Sequence, residues 1–340
     1  MAINLKDLTF TAQDELVASL GEPKFRAKQV RDWLYAKNCR DIAQMTNLSK
    51  SLREKLAAAH CADGLKTLDR QVSADGTVKY LFGLTDGQSV ETVYIQEEKR
   101  QTVCVSTQVG CKFSCAFCAT GRQGFARDLS LGEILNQVTE ARVDAGDVTN
   151  VVFMGMGEPL DNYANVVEAA RILNAKEGFN IGGRRITIST VGLAPRIEQL
   201  AGEGLNVNLA ISLHAADNVI RTRLLPVNKK YPVEKLMESL KKYPLKQGRK
   251  ITMEVILFDG VNDSEQDAKK LVRALHGLST KVNLIRFNPV PHADLQPSPN
   301  ARVEQFQELL EKGGIDTTIR ISKGGDIQAA CGQLRSSKMG

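Results

Sequence analysis

The sequence predicts an α/β protein whose main domain is a full or partial (β/α) barrel. Seven strand-like runs follow residue 101, most of them separated by amphipathic segments of helix length: TVCVST, VTNVVFMGM, RRITIST, NVNLAISLH, KITMEVILF, KVNLIRFNP and TTIRIS. Strands that alternate with helices form a parallel sheet with crossover connections. No G-x-G-x-x-G motif follows the first of these strands, which favours a barrel over a dinucleotide-binding fold.

Two smaller parts precede the predicted barrel, and a short tail follows it. Residues 1–62 have the apolar spacing of helices, and we expect them to form a helical accessory domain. Residues 63–100 contain the β-rich runs TVKYLFGL and SVETVYI, each preceded by an Asp-Gly turn signal, which predict a β-hairpin bridge. The barrel is expected over 101–322, and the tail over 323–340.

Composition places the chain in the soluble globular class. It has 340 residues, of which 42% are hydrophobic and 25% are charged. No stretch reaches the roughly 18 apolar residues of a membrane span, and the N-terminus lacks the apolar core of a signal peptide. We therefore expect a cytoplasmic protein with no membrane partner. The net charge of +6 permits a nucleic-acid partner without requiring one.

Cysteine is the most informative residue type in this sequence. Seven cysteines, an odd number, argue against a disulfide framework and favour thiolate chemistry in a reducing compartment. Three of them, Cys111, Cys115 and Cys118, lie in one loop directly after the first barrel strand, where parallel barrels place their chemistry. Closely spaced thiolates hold iron-sulfur clusters or zinc.

The number of cysteines in this loop favours a cluster over zinc. Structural zinc normally takes four ligands in pairs, and no second Cys-x2-Cys or His-x3-His pair lies nearby in the sequence. Three protein ligands on a four-iron cluster would leave one iron open to bind a substrate or cofactor.

The sequence resembles the radical S-adenosylmethionine (SAM) enzymes, and among them the RlmN/Cfr-type RNA methyltransferases. The motif is Cys-x3-Cys-x-Phe-Cys with Phe117 before the last cysteine, followed by GMGEPLDN from Gly155, then ISTVG, SLHA, FNP and the C-terminal GGDIQAACGQL. The resemblance covers nearly the whole chain, and it implies a barrel of the radical SAM type. It also implies one 4Fe-4S cluster held by Cys111, Cys115 and Cys118. The SAM contacts that it implies are Gly157, Glu158, Ser189, Ser212, Leu213, His214 and Asn288.

The same resemblance implies a reaction that uses two SAM molecules per turnover. One would methylate Cys331, and the second would be cleaved to a radical that activates this methyl group for addition to carbon 2 of adenine. Cys104 would then release the product by forming a transient disulfide with Cys331, and Glu91 would accept the ring proton.

The resemblance also implies the partners of the protein. They are an adenosine in the peptidyl-transferase loop of 23S rRNA, the tRNA adenosine beside the anticodon, and a flavodoxin-like electron donor, with the protein itself a monomer. Two basic runs in the sequence are candidates for phosphate contacts, although such runs are often only solvated helix faces. The first contains Lys24, Arg26, Lys28 and Arg31, and the second, from Lys229 to Lys250, includes Lys241, Lys242 and Arg249.

Alternatives remain open at this point, both for single residues and for the whole chain. Glu91 would otherwise be a solvated strand carboxylate, and His214 a structural histidine at a strand end. Cys104 and Cys331 would otherwise be a packed strand residue and an incidental thiol. For the whole chain, the alternatives are methylation at carbon 8 of adenine, a different radical SAM reaction, and a non-enzymatic RNA-binding module stabilised by zinc.

Overall fold

The structure is a computed structural model that describes residues 2–290 and 293–335, so the last five residues of the predicted tail lie outside the described residues. The helices are α1 (Phe10–Ser19), α2 (Phe25–Arg31), α3 (Lys50–Ala57), α4 (Ala119–Arg122), α5 (Leu131–Ala145), α6 (Tyr163–Asn174), α7 (Ala194–Ala201), α8 (Asn218–Leu224), α9 (Val233–Lys241), α10 (Glu265–Leu275) and α11 (Asn300–Lys312). The strands are β1 (Ile3–Asn4), β2 (His60–Cys61), β3 (Lys66–Val72), β4 (Val78–Gly83), β5 (Ser89–Glu97), β6 (Arg100–Cys104), β7 (Gln108–Gly110), β8 (Phe125–Asp128), β9 (Asn150–Phe153), β10 (Ile186–Thr190), β11 (Asn208–Ser212), β12 (Ile251–Leu257), β13 (Thr280–Arg286) and β14 (Asp316–Arg320).

The central feature of the fold is a ten-stranded mixed sheet. Its strand order is β3-β4-β5-β6-β9-β10-β11-β12-β13-β14. The seven strands predicted from the sequence are β6 and β9 to β14, and each is parallel to the next. The predicted α/β barrel is confirmed in its partial form, because β3 and β14 are the two edges of the sheet within the described residues.

The predicted β-hairpin bridge is part of this same sheet. The two predicted runs form β4 and β5, and β5 continues the sheet by pairing antiparallel with β6. The Asp-Gly signals lie in tight turns, since Gly76 and Gly87 have φ of +82° and +84°. Strand β3 was not predicted, because its sequence KTLDRQV is exposed along its whole length and lacks an alternating apolar pattern.

The N-terminal helices pack against the first crossover helix of the barrel. Leu34 and Tyr35 are fully buried, and the Tyr35 carbonyl accepts a 3.0 Å hydrogen bond from Arg142 on α5. Arg31 is buried as well, and its guanidinium pairs with Asp14 and, at 2.7 Å, with Glu177 beyond α6. The interpretation of Arg31 as a phosphate contact is therefore wrong, because its charge is already paired inside the protein.

Side-chain caps in the sequence explain where two of the barrel helices begin. At α5 the Ser130 hydroxyl accepts from the backbone N–H of Glu133, while the Glu133 carboxylate accepts from that of Ser130. Ser264 and Asp267 form the same reciprocal pair at α10. Within the described residues, no helix combines the length and apolar character needed to cross a membrane.

Lys6 lies in the contact between the N-terminal segment and α5, and it leads to a pH-dependent prediction. Its ammonium is fully buried and donates to Asn136 at 2.7 Å and Thr139 at 3.2 Å. Burial lowers its pKa from 10.5 to about 8. Between these values the unfolded chain holds a proton that the folded chain has lost, so Lys6 contributes more stability as the pH rises, by roughly 3 kcal/mol across the window.

We expect the free energy of unfolding of the wild type to rise through this pH range relative to that of Lys6→Met. Urea unfolding of both proteins at several pH values measures the difference. Lys50→Met is the control, because the Lys50 side chain is 83% exposed, and its difference from the wild type should not change. A pH-independent difference for Lys6→Met would contradict the prediction.

Candidate active site

The sheet encloses a cavity of about 770 Å³. Its wall is built from alternate residues of successive strands, as expected for side chains that point to one face of a sheet. Polar residues are frequent on this inner face, and the wall includes Thr102 and Cys104 on β6, Thr187 and Ser189 on β10, Asn208 and Ser212 on β11, Thr252 and Glu254 on β12, and Lys281 and Asn283 on β13. A polar interior of this size is suited to a large polar ligand.

The three-cysteine loop lies at the edge of this cavity and is held in shape by β7 and β8. These two strands pair antiparallel on either side of the loop, and the backbone N–H of Cys111 donates to the Gly124 carbonyl at 2.7 Å. Gly110 has a φ of +74°, and a Cβ there would lie 1.9 Å from the Gly124 oxygen. Only glycine therefore permits this closure. Cys111, Cys115 and Cys118 all line the cavity.

The chemistry of these three thiols fits a cluster with one open iron. None of them is in a disulfide. Burial raises the pKa of Cys111 to about 12 and holds that of Cys115 well above its usual value. A bound metal would reverse this effect, because it displaces the thiol proton. Among the described residues, no three His, Cys, Asp or Glu side chains are placed to hold a single metal ion. A cluster does not need that arrangement, because each cysteine binds a different iron.

A buried arginine braces the cavity wall beside the cysteine loop. Arg221 on α8 donates to the carbonyls of Val191 and Leu213, at 2.7 and 3.2 Å, and to the Asn228 side chain at 2.8 Å. Its charge also acts on Cys115, and burial lowers the pKa of its guanidinium to about 10. Arg221 therefore connects the ends of two barrel strands and supplies positive charge next to one predicted cluster ligand.

Gly157 and Glu158, the predicted SAM-binding pair, lie on a tightly packed turn. Gly157 has a φ of +98°, and a Cβ there would lie 2.6 Å from that of Gln108. The buried Glu158 carboxylate accepts from the backbone N–H of Leu160 at 3.0 Å and of Val191 at 2.9 Å, and burial raises its pKa to about 7. Both residues line the cavity, and Glu158 also holds two loops together.

The other predicted SAM contacts are only partly brought together. Ser189, Ser212 and His214 line the cavity, whereas Leu213 and Asn288 are not part of its wall. Leu213 is fully buried, and its backbone N–H donates to the Glu254 carbonyl at 3.1 Å.

His214 has a clear structural role. It adopts a φ of +57°, and its Nδ1 accepts from the backbone N–H of Ile256 at 3.0 Å. Burial lowers its pKa to about 3, so the ring is neutral with its proton on Nε2. The alternative of a structural histidine thus accounts for its hydrogen bonding, while the ring still faces the cavity.

Cys104 and Cys331 line the same cavity as the three-cysteine loop. Cys104 is buried at the end of β6, whereas Cys331 is accessible from the cavity. The tail that carries Cys331 is fixed by contacts to α4, since the Gly332 carbonyl accepts from Ala119 at 2.7 Å and the Leu334 carbonyl from Thr120 at 2.6 Å. Gly332 allows close packing here, because it has a φ of +84° and a Cβ at this position would lie 3.2 Å from the Phe117 carbonyl oxygen.

Glu91 lies in a separate, neighbouring cavity of about 290 Å³. It is buried, which excludes the alternative of a solvated strand carboxylate. Its carboxylate pairs with Lys79 at 3.3 Å and accepts from the backbone N–H of Arg335 at 2.7 Å, and burial raises its pKa. Residues 328–335 contribute to the walls of both cavities, so this part of the tail divides Glu91 from Cys331.

Three charged residues of the cavity region were missed by sequence reasoning: Arg221, Glu254 and Arg320. Glu254 and Arg320 lie in KITMEVILF and TTIRIS, two runs that were predicted as strands without any site residue. Arg221 lies in a helical segment that contains no motif. Glu254 and Arg320 could have been found as polar residues on the face of a strand that lines the cavity. The sequence alone did not show which face of each strand points inward.

The chain is similar to known proteins along nearly its whole length. Residues 105–272 match the radical SAM superfamily, and residues 3–62 match the ribosomal RNA large subunit methyltransferase N-terminal domain. A probable dual-specificity RNA methyltransferase RlmN from Thermotoga neapolitana is 48% identical, with 98% of this chain and 97% of the relative covered. A probable dual-specificity RNA methyltransferase RlmN from Geobacillus thermodenitrificans is 46% identical, with 98% of this chain and 93% of the relative covered. This chain belongs to the RlmN family.

Membership of the RlmN family confirms the predicted enzyme class, a radical SAM RNA methyltransferase. The crystal structure of a radical SAM methyltransferase from Sphaerobacter thermophilus agrees with this fold, with a TM-score of 0.92 and 44% identity over 98% of this chain and 99% of that one. The radical SAM family also implies the 4Fe-4S cluster and SAM as cofactors.

The packing around Gly157 predicts weaker SAM binding in Gly157→Ala. A methyl group there would collide with Gln108 and force a strained φ, so we expect the dissociation constant for SAM to rise by about tenfold or more. Equilibrium dialysis of the cluster-loaded protein measures it. Gly182→Ala is the matched control, since a Cβ at Gly182 meets no atom within 4 Å. Equal SAM affinity in both variants would contradict a role for Gly157.

Proposed function

We propose that this enzyme methylates carbon 2 of an adenosine in RNA by way of a methyl group carried on Cys331. The observation that supports this most strongly is the presence of Cys104 and Cys331 in the same cavity as Cys111, Cys115 and Cys118. Two thiols outside the cluster loop are needed for a methyl carrier and for its release. A radical SAM reaction without a covalent protein intermediate would need neither.

The RNA substrates proposed are the adenosine of the peptidyl-transferase loop in 23S rRNA and the tRNA adenosine beside the anticodon. The names of the relatives, dual-specificity RNA methyltransferases, support two substrates. The base has to be unstacked to reach an enclosed cavity. Lys24, Lys28, Lys229 and Lys230 are exposed and are the basic residues we propose for phosphate contacts.

Two SAM molecules are proposed per turnover, one for each kind of chemistry. Carbon 2 of adenine is electron-poor and has no nucleophilic lone pair, so polar methyl transfer to it is unfavourable. A cluster held by the three cysteines would supply one electron for the reductive cleavage of SAM, and this would provide a radical route. Cys111, Cys115 and Cys118 would hold the cluster, and Gly157, Glu158, Ser189 and Ser212 would hold SAM.

The protein residues then have distinct roles. Cys331 carries the methyl group to the base and remains bonded to it through the transferred carbon. Cys104 attacks the sulfur of Cys331, forming a disulfide while the bond from that sulfur to the carbon breaks. Glu91 accepts the ring proton, and burial raises the pKa of its carboxyl group, which makes its carboxylate a stronger base. An external reductant of the flavodoxin type is proposed as the electron source, and a monomer in a reducing cytoplasm as the working form.

Mapping the modified base tests the position of methylation. Ribosomal RNA treated with the cluster-loaded enzyme, SAM and a reductant of the flavodoxin type should contain 2-methyladenosine by mass analysis of its nucleosides. Methylation at carbon 8 is the second candidate, because the same cysteines would serve it, and 8-methyladenosine as product would replace the proposal. A protein that holds one zinc and methylates nothing would instead be an RNA-binding module.

The roles of the two cysteines predict different failures in their alanine variants. Cys104→Ala should still become methylated on Cys331 and add to RNA, but without an attacking thiol the adduct should persist as a covalent protein–RNA species. Cys331→Ala should form no adduct. Denaturing electrophoresis with nuclease treatment distinguishes them.

Cys39→Ala is the matched control for this experiment. Cys39 is a buried packing residue outside the cavity. Its alanine variant should therefore methylate RNA normally and form no covalent protein–RNA species. Normal turnover by Cys104→Ala would remove its proposed role. An adduct in Cys331→Ala would move the attachment site to another residue.

A further inference from the structure

Helix α8 contacts both the cysteine loop and the ends of two barrel strands. At its last residue, the Leu224 carbonyl accepts a 3.0 Å hydrogen bond from the backbone N–H of Ala116, which lies between Cys115 and Cys118 in the loop. Arg221 lies in the middle of the same helix and is fully buried. The helix therefore contacts the cysteine loop at one end and carries a buried cation one turn earlier.

The guanidinium of Arg221 spans the ends of β10 and β11. Its Nη2 donates to the carbonyl of Val191, directly after β10, at 2.7 Å, and its Nε donates to that of Leu213, directly after β11, at 3.2 Å. Nη2 makes a longer contact of 3.4 Å with the Ser212 carbonyl, and Nη1 donates to Asn228 Oδ1 at 2.8 Å. All four acceptors are neutral, so the direction of its N–H groups holds this side chain in place.

The backbone groups that Arg221 binds lie beside the proposed SAM contacts. Val191 comes two residues after Ser189, and its own N–H donates to the Glu158 carboxylate at 2.9 Å. Ser212 is bound through its carbonyl, while its side chain is one of those proposed to contact SAM. Arg221 thus fixes the backbone at both strand ends that carry these serines.

The surroundings of the guanidinium leave it little freedom. Gly192 has a φ of +102°, and a Cβ there would lie 3.1 Å from Nη2 of Arg221. On the other side, the Asn228 amide donates to Thr222 at 2.9 Å and to the Asn218 carbonyl at 3.1 Å, both on α8. Arginine suits this position because its five N–H donors lie in one rigid plane, whereas lysine has a single nitrogen.

We propose that Arg221 is a positioning residue that holds the SAM-binding strand ends in place relative to the cysteine loop. The assignment of SAM to Ser189 and Ser212 rests on the proposed function. Because α8 is bonded to the loop through Leu224 and to both strand ends through Arg221, one short helix sets the position of one relative to the other. Arg221 is not part of the cavity wall, so it acts through the backbone groups that it binds.

Equilibrium dialysis and electron paramagnetic resonance of the cluster-loaded protein test this role without RNA. After reduction with dithionite, SAM that binds the open iron should change the spectrum of the cluster, so the spectrum reports whether SAM reaches the iron. Arg221→Lys keeps the charge but cannot span the two strand ends. Its dissociation constant for SAM should rise by about tenfold or more, and its spectral change at saturating SAM should be smaller than that of the wild type.

Asn228→Ala tests the same network without removing Arg221. Asn228 is not part of the cavity wall, so its loss reaches SAM only through Arg221 and α8. The dissociation constant for SAM should rise by a smaller factor than in Arg221→Lys. In the double variant it should stay close to that of Arg221→Lys alone, because both changes act on one set of contacts. If Arg221→Lys does not load a cluster, Asn228→Ala decides.

Arg31→Lys is the matched control for a merely structural effect. Arg31 is also a buried arginine, and it donates to the Phe10 carbonyl at 2.6 Å and to Gln13 at 3.2 Å, but it lies on α2, outside the cavity. Its lysine variant should lower the Tm of the protein and leave both the SAM dissociation constant and the spectral change at their wild-type values.

Wild-type SAM binding and a wild-type spectral change in Arg221→Lys would overturn the proposal, as would wild-type SAM binding in Asn228→Ala. An equal loss in Arg31→Lys would also overturn it, because the effect would then follow from lower stability alone. The proposed function fails by a different measurement. If the wild type forms no 2-methyladenosine in RNA, that function is lost, while the SAM affinities and spectra still report whether Arg221 positions the site.

Discussion

The hydrogen bond from Ala119 to the carbonyl of Gly332 connects two parts of the chain that are more than two hundred residues apart. Ala119 follows the last cysteine of the cluster loop, and Gly332 follows the cysteine of the tail. Because this contact joins their direct neighbours, it fixes Cys331 relative to Cys118. The barrel supplies a cavity, and the return of the tail adds Cys331 to the four cysteines of the barrel that line it.

The cavity retains charges that a protein core would normally avoid. Glu158, Arg221 and Glu254 are all buried, and one oxygen of Glu254 has no partner within the described residues. A buried charge costs several kcal/mol unless it is paired or hydrogen-bonded. Arg221 and Glu158 offset that cost by binding backbone groups of neighbouring loops, so they also give the wall its shape. Only one oxygen of the Glu254 carboxylate is hydrogen-bonded, so the cost of burying this group is offset only in part.

The sequence was sufficient for the strands of the barrel and for the cysteine loop, because both depend on local patterns. Strand-like apolar runs marked the seven parallel strands of the large sheet, and the spacing of Cys111, Cys115 and Cys118 marked three thiols that line its cavity. The sequence was not sufficient for elements and residues whose structure depends on tertiary contacts. Strand β3 has no apolar pattern and exists because β4 offers it an edge, and Arg31 belongs to a basic run but is buried by its partners on α1 and beyond α6.

The division between the two cavities follows from the same tail contacts that place Cys331. One base would have to receive carbon from Cys331 and give its proton to Glu91, yet residues 328–335 lie between these side chains. The backbone N–H of Arg335 already occupies one oxygen of the Glu91 carboxylate, and Lys79 pairs with the other. Under the proposed roles of Cys331 and Glu91, a base that reaches both groups would have to displace this segment from Glu91. Gly332 and Leu334 bind α4 directly before Arg335 binds Glu91, so the anchor of Cys331 and the contact with Glu91 are adjacent in the same tail segment.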